Sequence, residues 1–315
     1  MDELDDEAGR LARAVLYEGY LLWPYRLSAL KNRQRWTIGG VHPEPYGRAR
    51  AGYAWWSGTQ CLLKADTGAD AAVTVRVRWL HVVTCEADPV REGFPREEAV
   101  EREVAACGLA VAALLREPRV VEIDVPAGRE VAAGGVVRCW EALRGRVEVA
   151  AESLRPGLVR LSVRVVNTTA WCGEERGEAM RRTLVAAHTV LRADGGAFVS
   201  LMDPPEGLRG FAEGCRNVGG WPVLLGAEGD RRAMLSAPII LYDHPRISPQ
   251  SPGDLFDATE IDQLLTLSVL ALSEEEQREI REGDPRGREI LERCAALSPE
   301  QLMRLHGIVR AEPAS

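Results

Sequence analysis

The residues best equipped for chemistry fall into two clusters. The first is Asp243-His244 followed by Asp254, Asp257, Glu260 and Asp262. An imidazole beside carboxylates at a strand end could hold a divalent cation that activates water, and Asp243, His244 and Asp254 would then carry a metal-dependent hydrolase. Each residue also has a sufficient local role, Asp243 opening a turn and Asp257 with Glu260 capping a helix, and the local reading is the stronger one. The second cluster runs Asp203-Pro204-Pro205-Glu206, then Cys215-Arg216-Asn217 ahead of Gly219-Gly220-Trp221-Pro222. It reads as a loop presenting a thiol, a guanidinium and an amide to a partner, or as an Asp helix cap, a buried cysteine and a Gly-Pro turn.

Most common catalytic frameworks are missing. The chain has no G-x-S-x-G elbow, P-loop, dinucleotide-binding glycine turn or H-E-x-x-H pair. Five histidines and two lysines, Lys31 and Lys64, leave few general bases. Seven cysteines, an odd number without a C-x-x-C pair, argue against a disulfide framework and a zinc ribbon. Most of them read as buried thiols, and no cofactor is expected. A third group, Trp23, Tyr25, Trp36, Tyr46, Trp55 and Trp56, has the composition of a binding hot spot, though it also fits an aromatic lid over a sheet.

A chain of 315 residues that is 46% apolar and 27% charged folds as a globular protein of one large or two ordinary domains. The acidic opening Met-Asp-Glu-Leu-Asp-Asp-Glu is unlike a secretory signal, and no stretch is apolar enough to span a bilayer, which points to the cytoplasm. Of the net charge of −8, the segment 254–315 carries −7, with fourteen Asp and Glu against seven Arg. The basic stretch between Tyr25 and Arg50 is too modest a footprint for nucleic acid to be an expected partner.

These residues need elements to position them. Leu4, Ala8, Leu11, Val15 and Leu22 have helical spacing, with Pro24 ending the run. The stretch 24–58 reads as irregular, rich in Pro, Gly, Trp and Tyr. Strict alternation from Ala72 through Trp79 predicts a half-buried strand. Val100, Val104, Cys107, Val111 and Leu114 then recur every three or four residues, predicting one long helix over 97–115 closed by Pro118.

Further strands are predicted at 119–125, 136–143, 146–154, 158–167, 184–192, 197–201 and 234–242, with a short helix over 205–215. Pro156-Gly157 joins two of them into a hairpin, and setting Glu152 opposite Arg160 also sets Glu148 opposite Arg164 and leaves Val147, Val149 and Ala151 on the same face as Val159, Leu161, Val163 and Val165. The acidic tail shows helix starts at Asp257, Ser273, Asp284-Pro285 and Ser298-Pro299. The expected fold is α+β: a mainly antiparallel β-sandwich-like core with one inserted helix, an N-terminal helix and a helical tail. The divisions are 1–66, 67–245 and 246–315.

Three passages carry a resemblance. They are Phe198-Val-Ser-Leu-Met-Asp-Pro-Pro, Cys215-Arg-Asn with Trp221-Pro-Val-Leu-Leu-Gly, and the run from Ala237-Pro-Ile-Ile-Leu-Tyr-Asp-His-Pro to Asp262. The chain resembles a bacterial accessory-protein family encoded beside actinobacterial-type uptake nickel–iron hydrogenases. The likeness extends to Glu18-Gly-Tyr-Leu-Leu-Trp-Pro-Tyr and is strongest over 198–262. It implies a setting, hydrogenase assembly or operation, and no reaction. The resulting expectation is a non-enzymatic assembly, scaffolding or chaperone-like protein whose partner is a hydrogenase subunit or maturation factor. Contact would run through Trp23, Tyr25, Trp36, Trp55 and Trp56 and through Asp203, Cys215, Arg216, Asn217 and Trp221. The metal-dependent hydrolase and a small-ligand binding module in the sheet's concavity are the alternatives.

Overall fold

The computed structural model describes residues 3–29, 32, 35–65, 70–86, 96–131, 136–246 and 262–298. They form two units, one of Met1–Leu16 with Trp36–Pro245 and one of Tyr17–Arg35 with Arg246–Ser315.

The first unit contains α1 (Glu3–Leu16), α2 (Glu44–Ala49), β1 (Trp56–Ala65), β2 (Ala72–Glu86), β3 (Arg96–Ala110), α3 (Val111–Leu114), β4 (Arg119–Val125), β5 (Gly128–Val131), β6 (Val137–Trp140), β7 (Leu143–Arg155), β8 (Leu158–Asn167), α4 (Arg176–Met180), β9 (Val185–Asp194), β10 (Gly196–Val199), α5 (Arg209–Glu213), β11 (Trp221–Leu224) and β12 (Ala233–Ala237). Two antiparallel sheets result. One has the order β10-β1-β8-β7-β4; the other runs β11-β12-β9-β2-β6-β5, with β3 pairing β2. Valines and leucines from both sheets, among them Val75, Val77, Val147, Val163 and Leu191, fill the space between them with Trp79 and Phe198. On the other side of the larger sheet, Leu11, Ala12 and Val15 of α1 pack on Val223, Leu225 and Leu235. The α+β class and the antiparallel core are as the sequence predicts.

The predicted central helix is instead mostly the strand β3. Glu98, Val100, Arg102, Val104 and Ala106 turn to the covered side while Glu101, Glu103, Ala105 and Cys107 are exposed, a period of two. Pairing with β2 along nearly its whole length decides the matter, and Glu103 bonds Arg76 at 2.8 Å and Arg78 at 2.6 Å across the strands. Helical spacing survives in the single turn α3. The hairpin β7–β8 has the predicted register, with Glu152 opposite Arg160 and Glu148 opposite Arg164. The turn Ala193-Asp194-Gly195-Gly196 carries the chain from one sheet to the other, since β9 pairs with β2 and β12 but β10 pairs with β1. At that crossing a Cβ on Gly196 would lie 2.9 Å from the Lys64 carbonyl oxygen, so a side chain there would push the strands apart.

The second unit holds α6 (Asp262–Leu270), α7 (Glu274–Glu282) and α8 (Pro285–Ala295). Ser273 and Glu276 form the predicted capping box, and Asp284 caps α8 by accepting from Arg286 N. The other two predicted starts, at Asp257 and Ser298-Pro299, involve residues outside those described. The N-terminal region divides between the two units, Met1–Leu16 in the first and Tyr17–Arg35 in the second. The helix α1 stops at Leu16 instead of reaching Leu22, because Gly19 takes φ +72° and Tyr20 N closes a turn on Tyr17 O. The following segment belongs with the C-terminal helices. Asn32 ties it into a compact loop by bonding Leu22 N, Leu22 O and Arg26 O, while Arg35 and Tyr20 both bond the buried carboxylate of Asp284.

Candidate functional site

The strand β1 carries buried residues on both faces, with Cys61, Leu62 and Leu63 consecutive, so its lower half offers no alternation for the sequence to display. Its first residues are where two of the sequence-predicted binding segments meet. Gly58 and Val218 exchange backbone hydrogen bonds of 2.9 and 2.8 Å. Beside them the Asn217 side-chain oxygen accepts from Gln60 N, and the Gln60 side-chain oxygen accepts from Arg216 N, both at 2.8 Å. Gln60 also donates to Ser162 Oγ at 3.1 Å, which fixes its amide on β8. The segment 216–218 is therefore zipped to the start of β1.

This zipper holds an apolar and cationic surface. Trp56 lies over Gly58, where a Cβ would come within 2.9 Å of the indole, so the absent side chain makes room for the ring. Arg164 stands 4.9 Å from the Trp56 ring and 5.7 Å from that of Trp55, and Arg48 lies 4.6 Å from Trp55. Val218 and Trp221 are 41% and 47% exposed beside this ordered backbone. Arg216 is exposed alongside them.

The other sequence-predicted contact residues divide. Tyr25 and Trp36 are buried and cannot form part of a recognition surface; each adopts a positive φ, and the Trp36 indole donates to Glu97. Trp23 is half-buried and meets Tyr25 edge-on at 5.7 Å, within the second unit. Tyr46, also buried, stacks on His42 and meets Tyr53 and Trp171 edge-on, which is the aromatic lid rather than the hot spot. Asp203 is exposed and caps no helix; its backbone N–H donates to Ser200 Oγ. The amide oxygen of Asn217 is spent on β1 and is not presented outward.

Cys215 is half-buried, and its thiol pKa is raised by burial against the opposing pull of Arg160, the reverse of a reactive thiolate. Of the seven cysteines only Cys61, Cys85 and Cys294 are buried, so the expectation that most would be is corrected. Cys107 is exposed because it lies on β3 rather than on the inner stripe of a helix.

At the Asp243 cluster both carboxylate oxygens are engaged. One accepts from Leu224 N at 2.8 Å and the other from the Ser200 hydroxyl. His244 donates its backbone N–H to Leu224 O at 2.8 Å and bonds Gly226 O through Nδ1 at 3.2 Å. The pair thus clamps the chain after β12 onto the end of β11. Asp254 lies outside the described residues. Among the described residues no group of three or more His, Cys, Asp or Glu gathers as a metal site would require, and no helix is long and apolar enough to cross a membrane.

No protein-family model matches the chain, and no curated protein matches it.

Proposed function

We propose that the protein acts by binding another protein, as an assembly or scaffolding accessory of a nickel–iron hydrogenase, with a hydrogenase subunit or maturation factor as partner. The observation that carries the binding half of this reading is the pairing of exposed Val218 and Trp221 with a backbone fixed by the Gly58–Val218 bridge and the Gln60 clamp. A pre-ordered apolar patch with tryptophan and arginine at hand loses little entropy on association and has the composition that dominates binding energy. The hydrogenase setting rests on the sequence resemblance, which is strongest over the stretch containing this patch and the Asp243 clamp. An acidic tail of −7 favours a basic surface on the partner.

The hydrolase alternative draws no support from Asp243, both of whose carboxylate oxygens hold the chain, or from His244, whose Nδ1 bonds Gly226 O. The small-ligand alternative draws none from the interior between the sheets, which side chains fill. The test is a pull-down from cells that express the hydrogenase, using the wild type and a Val218→Asp, Trp221→Ala variant. Recovery of a hydrogenase-related protein by the wild type and its loss in the folded variant is the expected result. Recovery of none by the wild type would sink the reading.

A further inference from the structure

A second feature lies at the free edge of the smaller sheet. The strand β4 pairs with β7 on one side, and among the described residues no strand pairs its other side. That edge is not buried: Arg119, Glu122 and Asp124 are exposed and Val120 is 43% exposed. Beside the first residues of β4, where α3 leads into it, opens a cleft of about 520 Å³. Its apolar lining comes from Leu109, Leu114 and Val120, and its charged lining from Arg116, Glu117 and Arg119. Two arginines stand against one glutamate in this lining, so on a chain of net charge −8 the cleft carries a local positive excess.

An open edge and a cleft at one end of it constrain what can bind. Every pairing within this sheet is antiparallel, and an added strand following that pattern ends beside the residues where β4 begins. The last residue of an incoming chain would then face the cleft and the two guanidinium groups. A parallel strand would bring its terminal ammonium to the same place, against Arg116 and Arg119. Self-pairing of β4 about its centre would set Glu122 opposite Glu122, a like-charge pair.

We propose that β4 and this cleft capture the C-terminus of a partner polypeptide. The segment adds antiparallel to β4 by backbone hydrogen bonds, its terminal carboxylate lies against Arg116 and Arg119, and its last side chain is aliphatic and fills the floor of Leu109, Leu114 and Val120. Glu122 and Asp124 disfavour acidic residues further up the segment. The site is separate from the Trp56–Trp221 surface and does not rest on the hydrogenase reading.

The test is selection of a random peptide library displayed with free C-termini on the immobilised full-length protein. Enrichment of sequences ending in Val, Leu or Ile is expected, and its loss with the R116Q/R119Q variant, whose changes fall on exposed side chains. A selected peptide made as its C-terminal amide should bind the wild type at least about tenfold more weakly than the free acid, the worth of one charge-assisted contact. Enrichment of nothing above the bare support, or equal binding of acid and amide, overturns the proposal. The acid–amide comparison needs no variant and so is independent of any effect on folding.

Discussion

Arg35 and Asp284, 249 residues apart in the sequence, form a 2.8 Å ion pair in which the carboxylate is fully buried. The same carboxylate accepts from the Tyr20 hydroxyl at 3.0 Å and caps α8 through Arg286 N at 2.9 Å. Burial, reinforced by Asp284, pushes the Tyr20 hydroxyl pKa up, so Tyr20 remains a neutral donor. One side chain thus joins Tyr17–Arg35 to the C-terminal helices. Asp284→Ala removes the carboxylate that faces the buried Arg35 guanidinium and removes the cap, and should cost this unit about 3 to 5 kcal/mol. Asp284→Asn keeps a capping oxygen and should cost less. Urea unfolding followed by circular dichroism, with the order of the two variants as the readout, checks the assignment.

His81 and His188 give the protein a defined acid sensitivity. Burial lowers both imidazole pKa values to about 4, helped at His81 by Arg102. Among the described residues, Nδ1 of His81 and Nε2 of His188 have no hydrogen-bond partner. The unfolded imidazole takes its proton near pH 6.5, so stability is full above that value and falls as the pH drops toward 4. By pH 5 the loss should be about 2 kcal/mol for each histidine. Urea midpoints between pH 7.5 and 5 should show the decline, and the His81→Leu, His188→Leu double variant should flatten its slope whatever it does to the absolute stability.

The hairpin β7–β8 shows when sequence is enough. Its turn is local, its charges pair, and a one-residue slip would put the valines on the wrong face, so three requirements select one register. Gly157 sits in that turn at φ +74°. Gly157→Ala should therefore destabilise by about 1 kcal/mol through backbone strain rather than through lost contacts, since little lies near its missing Cβ. A thermal melt of the variant measures this directly.

Where local pattern and long-range pairing disagree, the sequence misleads. Val100, Val104 and Cys107 have helical spacing, but β2 offers Arg76 and Arg78 to Glu103 and a ladder along most of β3, neither of which is written near residue 100. β1 stayed hidden for a different reason: three consecutive buried residues erase alternation. At the candidate site, Trp56 and Trp221 were legible from composition alone. Val218 and Gln60 were not, because an exposed valine and a glutamine carry no signal until β1 is placed against residues 216–218. Asp243 and His244 were legible as special residues but not as a clamp, since Leu224 and Gly226 act there through backbone groups common to every residue.

Gln60 is the residue through which this surface can be tested without touching its exposed side chains. Its amide holds Arg216 N and Ser162 Oγ, while its own backbone N–H holds Asn217. Gln60→Ala removes the first two contacts and leaves the third, together with the Gly58–Val218 bridge, so the segment should loosen without the sheet unfolding. Arg216 is exposed, and its peptide bond is a trypsin site once the backbone can leave the β1 edge. The expected outcome is faster cleavage after Arg216, an unchanged melting temperature within about 2 °C, and weaker recovery of the partner. Cleavage after Arg216 at the wild-type rate would show that the Gln60 side chain does not order the segment, and the patch would then owe its rigidity to the Gly58–Val218 bridge and the Asn217 contact.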